Sequence, residues 1–397
     1  MSDKHTQTRL ETLGAYPFER LKGLLHHSLP NPELLHIDAG AGEPRLPLPE
    51  FVEQTLQEHI HGFSKYPASR GNPELLRAIQ HWLKQRFQLQ HLDIRTQILS
   101  ANGTRESLFA VAHALVNPAA EEAPWVMMPN PMYQIYYGAA VMAGAKPYLL
   151  PCLEERGFEP DISSVSPEVW QQTALVYVCS PSNPTGWIAQ RSYYERLLQL
   201  ADEYDFYIVA DECYSEIYSH EPPLGLLEVA QDLGRTDYQR CLVMNSLSKR
   251  SALPGMRSGL IAGDAALIAR FAKLRSYTGA ATPLPLQAVA AKAWLDETHV
   301  QRHLQVYRDS LTAFFDIWGE GAVQPDGSFF VWLPVQDDEL FTKAAYEQQA
   351  VTVLPGSYLA ITDAQGLNPG QGYIRAALVD GEDKAAELAQ RLKQVKV

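Results

Sequence analysis

The sequence has 397 residues, 46 % of them hydrophobic, and its 33 Lys and Arg against 46 Asp and Glu give a formal net charge of −13. A chain of this length and composition can bury a large core, which excludes a disordered protein. The acidic balance, without any run of Lys or Arg, excludes a basic nucleic-acid-binding domain. It also predicts no membrane partner, because an anionic bilayer would repel such a surface.

The sequence also limits the location of the protein and the ligands that it binds. No apolar run approaches the roughly 18 residues of a membrane span, and the N-terminus lacks an apolar leader, so we predict a cytoplasmic protein. The 4 cysteines lie far apart and the 12 histidines show no metal-ligand spacing. We therefore predict neither a disulfide framework nor a metal site.

From about residue 73 the chain alternates helical and strand-like periodicity. Apolar residues at helical spacing predict helices over 74–87 and 105–116, the second ended by Asn117 and Pro118, and a capping box of Ser192 and Glu195 predicts the start of another. Strand-like apolar runs occur at 97–101, 125–128, 146–150, 173–179, 206–210 and 241–244. This alternation predicts an open, mostly parallel α/β sheet between helices, with a ligand crevice at the carboxyl ends of its strands.

The remainder of the chain has a different pattern. Helical stretches at 286–295 and 303–318 precede shorter strands at 328–332, 351–354 and 373–376. This pattern is typical of a smaller α+β domain. We predict a large α/β domain of residues 47–284 and a small domain made of residues 1–46 and 285–397.

Polar clusters follow four of the predicted strands. They are Asn102–Arg105, Ser180–Gly186, Asp211–Tyr214 and Ser246–Lys249. Because the carboxyl ends of parallel strands meet at one edge of a sheet, we expect these clusters to share one crevice.

The chemistry of these clusters indicates one cofactor. Gly103 to Arg105 at a helix N-terminus suits a phosphate. Lys249 at a strand end can form an imine if burial and neighbouring cations lower its pKa, and a buried Asp211 needs a cation such as a protonated pyridine nitrogen. A phosphate site, an imine-forming lysine and a carboxylate for the ring are what pyridoxal phosphate requires.

The same segments resemble fold-type I aminotransferases of class I/II over nearly the whole chain. The motifs that carry the resemblance are A-G-E-P at 41–44, K-Y-P at 65–67, N-G-T-R-E at 102–106, P-N-P-M-Y at 129–133, S-P-S-N-P-T-G at 180–186, D-E-C-Y at 211–214, S-L-S-K-R-S at 246–251 and Y-I-R at 373–375. With the further segments Tyr16–Arg20 and 351–359 included, the sequence most resembles bacterial N-succinyldiaminopimelate aminotransferases of lysine biosynthesis. The resemblance implies amino transfer from N-succinyl-L,L-2,6-diaminopimelate to 2-oxoglutarate, giving N-succinyl-2-amino-6-oxopimelate and glutamate.

The resemblance also implies catalytic roles. Lys249 would hold the cofactor covalently and move a proton, Asp211 would pair with the ring nitrogen, and Tyr133 would stack on the ring. Asn183 and Tyr214 would bond the ring 3′-oxygen. For single residues, ordinary alternatives stay open: Asp211 as a helix cap, Tyr133 as packing, Asn183 as a turn residue.

Binding roles follow from the same resemblance. The resemblance implies that the cofactor phosphate is held by the backbone of Gly103, Thr104 and Arg105, by the hydroxyls of Ser246 and Ser248, and by Arg257. Tyr66 from a neighbouring subunit would complete this site, which implies a homodimer. Arg375, helped by Gly42 and Asn183, would bind the substrate α-carboxylate, while Arg105, Arg275 and the N-terminal segment are candidates for its distal groups.

Competing functions differ in what they require. Ser246-x-x-Lys249 fits a serine acyl-enzyme signature, but no K-T-G element accompanies it, and a nicotinamide dehydrogenase would need a G-x-G-x-x-G that the chain lacks. An aminotransferase for another amino acid (aspartate, alanine, an aromatic residue or acetylornithine) and a pyridoxal-phosphate-dependent carbon–sulfur β-lyase remain open.

Overall fold

The computed structural model describes residues 8–117, 121–279 and 281–397. The expectations for the first seven residues and for Pro118 lie outside this part. The helices are α1 Pro17–Leu24, α2 Phe51–His59, α3 Pro73–Arg86, α4 Thr104–Leu115, α5 Ile135–Ala143, α6 Pro167–Gln171, α7 Arg191–Tyr204, α8 Leu226–Asp232, α9 Leu247–Arg250, α10 Ala265–Thr278, α11 Leu284–Leu295, α12 Thr298–Trp318, α13 Asp338–Gln349 and α14 Glu382–Lys393. The strands are β1 Ile37–Asp38, β2 Ile98–Ala101, β3 Trp125–Asn130, β4 Lys146–Pro151, β5 Thr173–Cys179, β6 Tyr207–Asp211, β7 Cys241–Ser246, β8 Gly259–Gly263, β9 Phe330–Pro334, β10 Val351–Thr352, β11 Leu354–Pro355 and β12 Tyr373–Ala377.

The largest sheet has seven strands in the order β2-β8-β7-β6-β5-β3-β4. Strands β7, β6, β5, β3 and β4 pair in parallel, whereas β8 pairs antiparallel with both β2 and β7. The six predicted strands of this sheet are confirmed. Strand β8 was not predicted, although its apolar residues between Gly259 and Gly263 are a usable signal.

Side chains on the central strands alternate between the two faces of this sheet. Val176 and Val178 of β5 pack with α3, α7 and α11, whereas Leu175 and Tyr177 pack with α4, α5 and α10 on the other face. A strand covered on both faces needs apolar residues at successive positions, which explains the nearly continuous apolar run.

Two helix starts show how local sequence sets the helix limits. Helix α3 begins after Asn72, whose side chain accepts from the Leu75 amide at 2.7 Å, with Pro73 in the first turn. The capping box predicted for α7 is wrong. That helix begins at Arg191 after Gln190 without a side-chain cap bond, so Ser192 lies inside its first turn.

The C-terminal part contains a three-stranded antiparallel sheet, β11-β12-β9. The N-terminal segment pairs with this part of the protein through a separate two-stranded parallel sheet of β1 and β10. Helix α11 packs against α3 on one face of the large sheet, where the Trp294 ring of α11 lies 4.7 Å from the Trp82 ring of α3. The predicted domain boundaries stay a prediction. Among the described residues no helix is long and apolar enough to cross a membrane, and the cytoplasmic location remains an expectation.

Candidate active site

A cavity of about 490 Å³ opens at the carboxyl ends of the large sheet's strands. Its lining includes twelve of the predicted site residues: Gly42, Thr104, Arg105, Tyr133, Asn183, Asp211, Tyr214, Ser246, Ser248, Lys249, Arg257 and Arg375. Gly103 lies directly before the helix that begins at Thr104. Tyr66 does not line the cavity, and its side chain is fully exposed.

The sheet topology explains why segments so distant in sequence meet here. Strands β2, β5, β6 and β7 run in the same direction, so the polar segments after them reach one edge. Strand β8 runs the opposite way and therefore starts at that edge. Arg257, two residues before its start, reaches the cavity from the beginning of a strand.

Lys249 lies in the short helix α9 directly after β7, and its side chain is half-buried in the cavity. Its Nζ donates to the backbone oxygen of Gly42. Burial lowers the pKa of Lys249 to about 8, and the Arg375 guanidinium acts in the same direction. A large fraction of this amine is therefore neutral near pH 8, as a nucleophile or proton acceptor must be.

Asp211 ends β6 and is 4 % exposed. Its carboxylate accepts from the Tyr136 hydroxyl at 2.7 Å and from the Cys213 amide at 3.2 Å. Burial raises the pKa of Asp211, although the hydrogen bonds from Tyr136 and Cys213 act in the opposite direction. Since these partners are neutral, an ionised carboxylate in this position needs a cation. Tyr136, fully buried and stacked on Tyr177 at 4.8 Å, was not predicted as a site residue.

Arg375 in β12 is 4 % exposed and reaches the cavity from the smaller sheet. Its guanidinium donates to Asn183 Oδ1 at 2.9 Å and to the backbone oxygen of Gly40 at 2.7 Å, and it lies 4.2 Å from the Phe330 ring centre. Burial lowers the pKa of Arg375 to about 10. Its Nε has no hydrogen-bond partner among the described residues, so this buried cation still has donor capacity for an anion.

A group of hydroxyls and amides surrounds the start of α4. Ser246 Oγ donates to Ser248 Oγ at 2.9 Å and accepts from the Ser248 amide at 3.1 Å. Arg257 donates to the backbone oxygen of Asn102 at 3.3 Å. A side chain on Gly103, whose φ is +81°, would overlap Nη2 of Arg257, so glycine is needed for the guanidinium to lie against the helix start.

The cavity mouth contains Arg105, whose Nε donates to the Tyr133 hydroxyl at 2.5 Å. Its guanidinium also lies 5.9 Å from the Tyr16 ring centre. Tyr16, Pro17 and Phe18 line the same cavity, as expected for the N-terminal segment. Arg275 does not line it: this buried side chain donates to the backbone oxygen of Ser100, so its candidacy for the distal groups is wrong.

The family model for aminotransferase class I and II matches residues 36–392. The chain belongs to this family. The predicted fold-type I architecture, the enzyme class and the dependence on pyridoxal phosphate are thereby confirmed. Aminotransferases act on amino acids and 2-oxo acids, which is the predicted class of small-molecule partner.

Relatives of this aminotransferase include both solved structures and curated enzymes. An aminotransferase from Neisseria meningitidis is 38 % identical, with a TM-score of 0.93, over 98 % of this chain and 100 % of its own. Aminotransferase AspB from Helicobacter pylori is 34 % identical, with a TM-score of 0.87, over 96 % and 99 % of the two chains. The LL-diaminopimelate aminotransferase of Aquifex aeolicus is 28 % identical over 371 residues, covering 91 % of this chain and 92 % of the relative.

The cavity of this aminotransferase suits pyridoxal phosphate on its own chemistry. Asp211 is a buried carboxylate with neutral partners, Lys249 is a half-buried amine of lowered pKa, and the Cβ-free surface of Gly103 faces a guanidinium. These features match a cationic ring nitrogen, an aldehyde and a phosphate. Among the described residues no cluster of His, Cys, Asp or Glu could hold a metal ion.

Proposed function

We propose that this aminotransferase binds pyridoxal phosphate in the cavity described above and transfers amino groups at Lys249. The observation that carries the proposal is that Lys249, Asp211 and Arg375, from three distant segments, line one cavity. When bound, pyridoxal phosphate supplies an aldehyde that captures amines and a ring that takes up an electron pair.

The proposed roles around the ring follow from the positions of the side chains. Lys249 Nζ captures the cofactor and then carries the proton to and from the substrate Cα. Asp211 holds a proton on the ring nitrogen, while Tyr136 and the Cys213 amide keep its carboxylate oriented. The remaining ring contacts are assigned to Tyr133, Asn183 and Tyr214.

The phosphate is assigned to the start of α4 and the end of β7. The proposed donors are the backbone amides of Gly103, Thr104 and Arg105, the hydroxyls of Ser246 and Ser248, and the Arg257 guanidinium. The amides at the start of α4 and the positive end of its dipole favour an anion. Arg257 supplies a full positive charge at the same helix start.

A homodimer would add one more phosphate contact. We infer that Tyr66, fully exposed in this chain, extends into the cavity of a second copy. A large aromatic side chain without any cover is the type of residue that an interface buries.

For the substrate, we propose a dicarboxylic amino acid. Arg375, with Asn183 and Gly42, would bind the α-carboxylate, and Arg105 would bind a distal carboxylate. Two guanidiniums in one cavity, beyond Arg257 for the phosphate, support a substrate with two anionic ends.

Within that class, N-succinyl-L,L-2,6-diaminopimelate with 2-oxoglutarate as acceptor is our first choice, on the sequence resemblance. LL-diaminopimelate is the second candidate, because curated relatives such as that of Aquifex aeolicus carry the name LL-diaminopimelate aminotransferase. The two differ in charge at the distal end: LL-diaminopimelate keeps a free ammonium there, and the succinyl group replaces it by an amide and a further carboxylate.

A donor screen distinguishes these proposals. The holoenzyme is mixed with succinyl-diaminopimelate, LL-diaminopimelate, acetylornithine, aspartate, alanine or an aromatic amino acid, and the loss of the yellow absorbance is followed. We expect kcat/KM to be highest for the succinylated donor and Arg105→Ala to lower it. A preference outside the diaminopimelate class would refute the substrate assignment.

Lys249→Ala tests the reaction itself. We expect it to abolish both turnover and the yellow absorbance, because the capturing amine is gone. Lys146→Ala is the matched control, since Lys146 begins β4 at the opposite edge of the sheet. Turnover retained by Lys249→Ala would contradict the assignment.

A further inference from the structure

A hydrogen-bonded chain of three side chains lies behind the lysine. The Nε2 atom of His299 is 2.8 Å from Ser251 Oγ, and its Nδ1 atom is 2.6 Å from Asp296 Oδ1. Ser251 and His299 are buried, and Asp296 lies between α11 and α12. These hydrogen bonds therefore connect the segment of Lys249 to the junction of α11 and α12.

The chemistry of the partners sets the direction of these bonds. A carboxylate only accepts, so His299 Nδ1 donates to Asp296. Burial lowers the pKa of His299, so its ring is neutral and Nε2 accepts from the Ser251 hydroxyl. Ser251 Oγ also accepts from Arg250 Nη1 at 3.4 Å, and Asp296 Oδ1 also accepts from the His299 backbone amide at 3.0 Å.

The arrangement has the order of a serine–histidine–acid triad, but Ser251 cannot act as a nucleophile. It is 0 % exposed and does not line the cavity. A nucleophile must reach its substrate, so the chain has a positioning role and not a hydrolytic one.

A second connection runs in parallel with the first. Arg250, the residue between Lys249 and Ser251, donates to the backbone oxygen of Ala293 at 2.6 Å and forms an ion pair with Glu297. Its guanidinium lies 5.4 Å and 5.3 Å from the Trp82 and Trp294 ring centres. Both residues that follow Lys249 are therefore fixed to the same junction.

We propose that His299 and Asp296 are positioning residues for Lys249, acting through Ser251, and that they keep its Nζ half-buried and aimed into the cavity. The inference deepens the proposed function, on which the catalytic part of it rests. Loss of the hydrogen bonds that join Ser251, His299 and Asp296 would let the segment of Lys249 relax and its Nζ become more hydrated. Greater hydration raises the pKa of a lysine.

Isosteric variants separate the two bonds of His299. In His299→Gln the amide oxygen replaces Nε2 as the acceptor for Ser251, whereas in His299→Asn the amide nitrogen replaces Nδ1 and the Ser251 bond is lost. Ser251→Ala removes the hydroxyl directly. His303→Gln is the control, since His303 is equally buried on the same helix and packs against His299 without a bond to Ser251.

The first measurement does not depend on turnover. Acetylation of Lys249 by trace acetic anhydride in the cofactor-free protein at pH 7 is quantified against exposed Lys22 by mass spectrometry. We expect Ser251→Ala and His299→Asn to lower the ratio by about threefold or more, because a smaller fraction of Nζ is neutral. His299→Gln and His303→Gln should stay closer to the parent.

The second measurement separates positioning from folding. In the holoenzyme we expect Ser251→Ala and His299→Asn to lower kcat by about tenfold with little change in KM, because a misplaced proton carrier slows the chemical step. An unchanged acetylation ratio, or an equal kcat loss in the His303→Gln control, would overturn the inference. A parent protein without aminotransferase activity would instead refute the proposed function, while the acetylation ratio still decides the positioning role.

Discussion

The pH dependence of cofactor attachment tests the lowered pKa of Lys249. Its ordinary value is 10.5, and burial lowers it to about 8. At pH 7 this raises the neutral fraction of the amine from about 0.03 % to about 9 %, a gain of roughly 300-fold. Only the neutral amine attacks an aldehyde, so the rate of attachment should rise about fivefold from pH 7 to pH 8 and only about twofold more by pH 10.

Stopped-flow absorbance after mixing the cofactor-free protein with pyridoxal phosphate measures this rate. The range of pH 7 to 10 lies above the second pKa of the phosphate, near 6, so the phosphate does not contribute to the profile. Lys249→Ala gives the background from other lysines. A rate that keeps rising to pH 10 without levelling off would refute the argument from burial.

Three further changes address the rest of the cavity. Asp211→Ala should leave the cofactor bound but slow the first half-reaction by roughly 100-fold or more, because the ring nitrogen loses its counter-charge; a rate near the parent's would contradict this role. Gly103→Ala should weaken the binding of pyridoxal phosphate while sparing pyridoxal, because its Cβ would displace Arg257 from the helix start; equal effects on both would contradict the phosphate assignment. Arg375→Lys should raise the KM of every amino acid tested by about tenfold, because an ammonium cannot form the guanidinium's paired bonds; an unchanged KM would be evidence against the carboxylate assignment.

Most of the site residues that the sequence could predict lie directly after predicted strands. Asp211 and Lys249 follow apolar runs directly, so their place in a parallel sheet could be inferred from local pattern. Arg257 depended on the resemblance alone, because the reversal of β8 brings a residue before a strand to the edge where others follow one. Whether two strands pair in parallel or antiparallel depends on the tertiary fold, and the hydrophobic periodicity of the sequence does not reveal it.

Other features could not be predicted correctly from the sequence, because they too depend on tertiary packing. Tyr136 is one turn after Tyr133 in a segment of aromatic residues, and its bond to Asp211 depends on how α5 packs on the sheet. Arg275 was a plausible anion ligand by type, but its position in α10 directs it to Ser100. Ser192 fits a capping motif, yet the helix starts earlier.

The reversed strand also bears on the order in which the chain can assemble. Strand β2 lies at the edge of the sheet, and its neighbour β8 ends only at Gly263. During synthesis the hydrogen bonds of β2 therefore cannot form until about two-thirds of the polypeptide, up to residue 263, has been made, and such long-range pairing is slow. The anion site after β2 is thus completed late, so a nascent chain on the ribosome should not retain the cofactor before residue 263 has emerged.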